Sequence, residues 1–347
     1  MNKIRCASIA MLFILSLSVC TGMPSPAPIL PTPMGNPPQM PMPNVPPPIQ
    51  NPPNMPPPQN MPAPSGVPMP PQEVMPTEAM QTTGQTTLRA GLRASDYGIL
   101  PWPDSDWWVN SIFSMTSRFP GSTGAMVAVV VETGGEDGSG CQAHFPKPDN
   151  GTYTCLYFST RDKFEEDFTA FDAAGIQVWL QVESSNCDVS MLIDVVMKAY
   201  GDHPCVIGFG VDAEWYYSDS FEDGKVISDV DAETWMTAVK NYNPNYKLFL
   251  KHWLTSHMPT SYWDEGLVFI DDSQDFSSME AMIAEFTAWG SYFSQAKVGF
   301  QYGYNADQRW WNSLQDPPAT IGNEILSRVP NASDLFWVDF TAHEIWP

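Results

Sequence analysis

From about residue 93 onward, short runs rich in β-branched and aromatic residues alternate with longer amphipathic stretches. That alternation restricts the chain to βα units around a parallel sheet. Eight runs have strand character: Arg93–Ile99, Ala125–Glu132, Ile176–Glu183, Val206–Trp215, Tyr246–Trp253, Leu267–Asp271, Lys297–Tyr302 and Asp334–Thr341. Between them Phe164, Phe168 and Phe171 fall at helical spacing, as do Trp235, Val239 and Tyr242, and Met282, Phe286, Trp289 and Phe293. Residues Asp104–Phe119 and Asp188–Tyr200 fill two more helical slots, and Ser277-x-x-Glu280 reads as a capping box. Gly175 and Pro204 end helices ahead of strands. The expected fold is α/β, a single (β/α)8 TIM barrel over residues 88–347. So little chain follows the eighth run that the usual last helix is expected to be absent, or replaced by residues near 81–92.

The segment ahead of the barrel has no pattern that could build a core. Residues 1–22 read as an export signal, with Lys3 and Arg5 before an apolar run from Ile9 to Val19 that is short for a bilayer span. Leu17-Ser18-Val19-Cys20 resembles a prokaryotic lipobox, with Val19 departing from the usual small residue. That resemblance implies a lipid anchor on Cys20; the alternative is an ordinary secretory signal in which Cys20 is discarded. Residues 23–87 read as a Pro/Met-rich disordered linker, since 23 of the 35 prolines fall between Met23 and Met80. Such a spacer advances roughly 3 Å per residue and would hold a domain away from a membrane. The expected location is extracellular or at the cell surface, with any membrane contact made only through the lipid.

With 39 acidic against 16 basic side chains the formal net charge is −23, which argues against nucleic acid and anionic lipid as partners. The cysteines carry a topological expectation. Cys141, Cys155 and Cys187 fall on one rim of a barrel and Cys205 on the other, so Cys141–Cys155 is the expected disulfide and Cys187–Cys205 is disfavoured.

Function in this fold gathers at the C-terminal ends of the strands. The fourth run ends Gly210-Val211-Asp212-Ala213-Glu214-Trp215, and strand alternation puts Asp212 and Glu214 on one face, Cα atoms about 6.6 Å apart. Two carboxyls that close do not both ionise cheaply, so one is expected to hold a proton near neutral pH, as a general acid must. The plainer reading makes them solvated rim residues. Glu183 ends another run and Asp271 and Asp272 end a third, and each is a candidate for a second carboxylate or for sugar binding. Asp219, Glu222, Asp223, Asp229 and Asp231 form an acidic stretch that fits no EF-hand. The five histidines lack the close spacing of a zinc site, no phosphate or dinucleotide fingerprint is present, and neither metal nor cofactor is expected.

The fourth run resembles the D-x-x-D-x-D-x-E strand of glycoside hydrolase family 18, the chitinase-like barrels, at Asp212 and Glu214. Ile207 and Gly210 stand where that pattern has its first two acids. The resemblance implies Glu214 as acid/base and Asp212 as the group orienting a 2-acetamido substituent, whose oxygen is the nucleophile. Gln301 and Tyr302 are similar to the residues with which some members hold the acetamide, Trp337 is similar to the tryptophan under the sugar, and Trp215 could extend a stacking groove. A competing similarity, to the muramidase-like family 25, rests on the same D-x-E with Asp96 and Asp339 on the first and last strands. Both imply a carbohydrate ligand. The expected function is a glycosidase acting on 2-acetamido glycans; the alternative is an inactive barrel that binds carbohydrate or serves the envelope.

Overall fold

The computed structural model describes residues 87–134, 140–218 and 224–347. The expected export signal, Cys20, the Pro-rich linker and the acidic residues Asp219, Glu222 and Asp223 lie outside the described residues.

The strands are β1 (Arg89–Ala94), β2 (Thr123–Gly134), β3 (Gly140–Ala143), β4 (Leu156–Phe158), β5 (Gln177–Glu183), β6 (Val206–Asp212), β7 (Lys247–Lys251), β8 (Leu267–Asp271), β9 (Lys297–Tyr302) and β10 (Ala332–Val338). Eight of them form a closed parallel barrel, because β1 pairs with β10 on one side and β2 on the other. β3 runs antiparallel to the end of β2 and β4 parallel to β3, an added flap at the mouth. The helices are α1 (Ser105–Ser117), α2 (Glu165–Ala174), α3 (Val189–Tyr200), α4 (Asp229–Tyr242), α5 (Met279–Tyr292), α6 (Gln308–Trp311), α7 (Pro317–Arg328) and α8 (Ala342–Ile345). Only a 3-10 turn at Thr255–His257 interrupts the link from β7 to β8.

The TIM barrel expected from the sequence is therefore present, with local differences. The first strand begins at Arg89, four residues before the expected Arg93, because its inward-facing positions carry charged side chains instead of apolar ones. Arg89 points into the barrel, where Nε and NH2 bind the Asp334 carboxylate at 2.6 and 2.7 Å, while Ala90 and Leu92 pack outward. Residues 89–92 are thus strand, and α8 with a 3-10 turn follows β10 in place of a full helix. α5 is capped by Ser278, which accepts from the Ala281 N–H, one residue past the expected cap. Gly175 ends α2 as expected, in the left-handed conformation at φ 70° that suits glycine.

Two apolar layers result from the strand alternation. The larger lies between strands and helices, and the smaller fills the barrel with Ala125, Val127, Trp179, Phe249, Val268, Ile270 and Phe336. Gly210 makes room for this filling: a Cβ there would come within 2.0 Å of the Phe249 ring.

The expected Cys141–Cys155 disulfide is not formed. Cys155 bonds to Cys187 with a Cα separation of 5.8 Å, and Cys141 and Cys205 are buried free thiols. The backbone explains it. The Cys141 N–H donates to the Cys155 carbonyl at 2.8 Å, while the Cys141 thiol turns away to the Ser184 carbonyl, at 3.0 Å. That leaves Cys155 facing the loop after β5.

Candidate functional site

Above the apolar plug, the last inward-facing residues of the strands are polar. Arg93 comes from β1, Gln181 and Glu183 from β5, Asp212 from β6, Lys251 from β7 and Gln301 from β9; Asp272 follows β8 directly. The centre is Lys251, whose Nζ lies 2.8 Å from Asp212 Oδ2 and 3.2 Å from Glu214 Oε1, and also pairs with Asp272. Gln181 Nε2 donates to Asp212 Oδ2 at 3.2 Å. The side chains of Asp212, Lys251 and Asp272 are at most 5 % exposed, whereas that of Glu214 is 23 % exposed. Glu214 is therefore where solvent reaches the cluster. It belongs to a 3-10 turn, Ala213–Trp215, since β6 stops at Asp212 and not at the expected Trp215.

Burial raises the proton affinity of both acids. The Asp212 carboxyl is held well above the usual range by desolvation, which Lys251 opposes and the Glu214 and Asp272 charges reinforce. Glu214 is raised by desolvation and by the Asp272 charge, with Lys251 and Arg93 opposing. Lys251 itself keeps its proton, because the three carboxylates outweigh the cost of its burial. Four buried polar atoms of this layer, Gln181 Oε1, Asp212 Oδ1, Asp272 Oδ1 and Gln301 Nε2, have no hydrogen-bond partner among the described residues. Groups of that kind are suited to a polar ligand.

A second network adjoins the first. Arg93 donates from NH1 to Asp339 Oδ1 at 3.0 Å and from NH2 to the Tyr97 hydroxyl, which donates to Glu183. Asp339 also accepts from the Ser95 N–H at 2.6 Å, so it ties the end of β10 to β1. Glu183 is pushed up to about 7 by burial and the nearby Glu132 charge, against the pull of Arg93 and Tyr97. Tyr304, just after β9, interacts electrostatically with Asp272, Lys251, Arg93 and Glu214, and its hydroxyl is 3.5 Å from Gln301 Oε1.

The sequence-predicted residues thus divide. Asp212, Glu214, Glu183, Gln301 and Asp339 come together at the mouth. Tyr302 and Trp337 do not, because alternation turns both to the helix layer. The Tyr302 hydroxyl donates to the Pro318 carbonyl at 3.2 Å, and Trp337 packs edge-on to Trp311 and donates to Thr341 Oγ1. The tryptophan expected under a sugar is a core residue. Asp271 also leaves the cluster, accepting from the Ser273 N–H at 2.8 Å, and Asp272 takes its place at Lys251. Asp96 lies at the rim, paired with Lys163. Trp215 is half-buried beside Glu214 in the chain. Lys251, Arg93, Tyr97 and Tyr304 were not anticipated; a lysine in the apolar run Leu248-Phe249-Leu250-Lys251 was the available signal. Cavities of about 300 Å³ at Arg118, Trp311 and Asp316 and of about 280 Å³ at Gly290, Arg328 and Asn331 do not touch this cluster.

No protein-family model matches the chain, and no curated protein matches it. Solved structures with partial likeness include an FMN-binding β-glucuronidase from Facaelibacterium prausnitzii L2-6, at 12% identity and TM-score 0.42 over 74% of this chain and 38% of that one. A Parabacteroides merdae β-glucuronidase aligns at 10% identity and TM-score 0.40 over 73% of this chain and 31% of that one. A psychrophilic glycoside hydrolase family 10 endo-β-1,4-xylanase aligns at 8% identity and TM-score 0.38 over 73% of this chain and 86% of that one. The chain spans about a third of the length of the two glucuronidases.

Proposed function

We propose that this protein is a glycoside hydrolase acting on glycans that contain 2-acetamido sugars, exported and held at the cell surface through Cys20 and the Pro-rich segment. The observation that carries the reading is Glu214, a partly exposed carboxyl with raised proton affinity at the mouth of the barrel, over a buried, charge-compensated Asp212. Glu214 donates its proton to the glycosidic oxygen as the bond to the leaving sugar breaks. The acetamido oxygen of the substrate attacks the anomeric carbon, and Asp212 accepts a hydrogen bond from the acetamido N–H as positive charge develops there. Asp212 lies buried beneath Glu214, and Glu214 is the acid that solvent reaches, which makes it the outermost carboxyl able to hand a proton to a bound sugar. Gln301, Glu183 and Trp215 are the residues placed to meet the sugar.

The test is release of reducing ends from a panel of N-acetylated glycans by wild type and by Glu214→Gln. Turnover is expected in wild type, with the variant slower by on the order of 10²–10⁴-fold while remaining folded. The second reading is a barrel that binds glycans without turnover. The contact of Lys251 with both acids favours it, since an ammonium group stabilises their charged forms. Binding of the glycan panel without wild-type turnover would overturn the hydrolase and leave the binder.

A further inference from the structure

We propose that Asp96, Glu132 and His144 bind one divalent transition-metal ion at the rim of the barrel. Each of the three can offer a ligand atom, and these atoms all lie within 4.8 Å of one another. They arrive from separate segments: Asp96 two residues after β1, Glu132 within β2, and His144 directly after β3. The antiparallel β2–β3 pairing brings the last two together, with Glu132 opposite Gln142. No short sequence motif could reveal such a set.

The donor atoms are arranged for a shared ligand. His144 is 7 % exposed, and its buried Nε2 makes no aligned hydrogen bond, its one close polar contact being the Glu132 Oε2 at ion-pair distance, 3.1 Å. An imidazole nitrogen and a carboxylate oxygen that close are two ligand atoms of the kinds a transition metal takes. The other Glu132 oxygen, Oε1, accepts from the Asp96 N–H at 2.7 Å, which fixes the carboxylate and leaves Oε2 turned to the imidazole. His144 is held by its own backbone, donating to the Val130 carbonyl at 3.1 Å and accepting from the Lys163 N–H at 3.0 Å. The Lys163 ammonium pairs with Asp96 and lies 4.0 Å from the Trp102 ring centroid, so it is the internal cation that a metal would displace from Asp96.

One imidazole and two carboxylates suit Zn²⁺, Co²⁺ or Mn²⁺ better than the all-oxygen ions Ca²⁺ and Mg²⁺. Three protein ligands leave at least one position for water. The assignment does not depend on the glycosidase reading, because its readout is binding itself.

The experiment is titration of the metal-free full chain, disulfide intact, with Co²⁺ followed by visible absorption, and with Zn²⁺ in competition. One equivalent is expected. Affinity should fall by on the order of a hundredfold or more in His144→Ala and in Asp96→Asn, each checked for folding by circular dichroism. Lys163→Met should bind about tenfold more tightly, since its ammonium no longer competes. Absence of stoichiometric binding by wild type, or binding unchanged in both ligand variants, would overturn the proposal. So would a thiolate-to-cobalt charge-transfer band, which would put the ion at the other His-containing cluster, Asp172, His203 and Cys205.

Discussion

Lys251 is 2 % exposed with three carboxylates around it, so its charge is tolerable only in their company. Replacing it with methionine strands Asp212 beneath the surface without a counter-ion. Lys251→Met should cost on the order of 3–5 kcal/mol in urea unfolding, and Asp212→Asn added to it should recover part of the loss. Glu183 behaves differently. Its carboxyl is pushed up to about 7 in the folded chain from an ordinary 4.5, so the folded state binds more protons than the unfolded one between those values. Its contribution to stability therefore declines as pH rises from about 4.5 to about 7 and is level above. Glu183→Gln removes the titration, and its stability relative to wild type should climb across the same window and then flatten, as denaturant midpoints measured over pH would reveal. The acids were legible in the sequence because strand-end position and spacing single out Asp212 and Glu214. Lys251 was not, because its meaning depends on acids from β6 and β8 that only the closed barrel brings to it.

Among elements, the apolar runs marked the strands well, since a strand buried on both sides must be apolar throughout. β1 was the exception: its run was expected to begin at Arg93, and Arg89 and Arg93 break the apolar pattern that marked the other strands, since Arg89 is accommodated inside the barrel only by the Asp334 carboxylate. β3 and β4, four and three residues long, are too short to carry a period. Tyr302 and Trp337 were misplaced for a related reason: a strand's alternation is visible in sequence, but which set faces the barrel axis is fixed by neighbouring strands. In β6 the glycines settle that phase. Gly210→Ala would drive a methyl against Phe249, and a loss of about 1–3 kcal/mol in chemical denaturation is expected, smaller in a Phe249→Leu background.

For the molecule as a whole, the Cys155–Cys187 bond joins the flap at the mouth to the loop beyond β5 across 32 residues of chain. The chain-entropy treatment gives such a loop about 3–4 kcal/mol. Serine at both positions should lower the thermal midpoint accordingly while leaving the barrel circular dichroism intact. Closure through β1 and β2 has a further result. A row of unpaired backbone amides is what another polypeptide needs to extend a sheet, and a cylinder whose first strand bonds to both its neighbours withholds it. In the strand order described here, β4 alone terminates the sheet; it is three residues long and directly follows the half-cystine Cys155. The exposed template for strand-to-strand fibre growth is thus brief and covalently pinned, which leaves a second chain little backbone on which to begin a shared sheet.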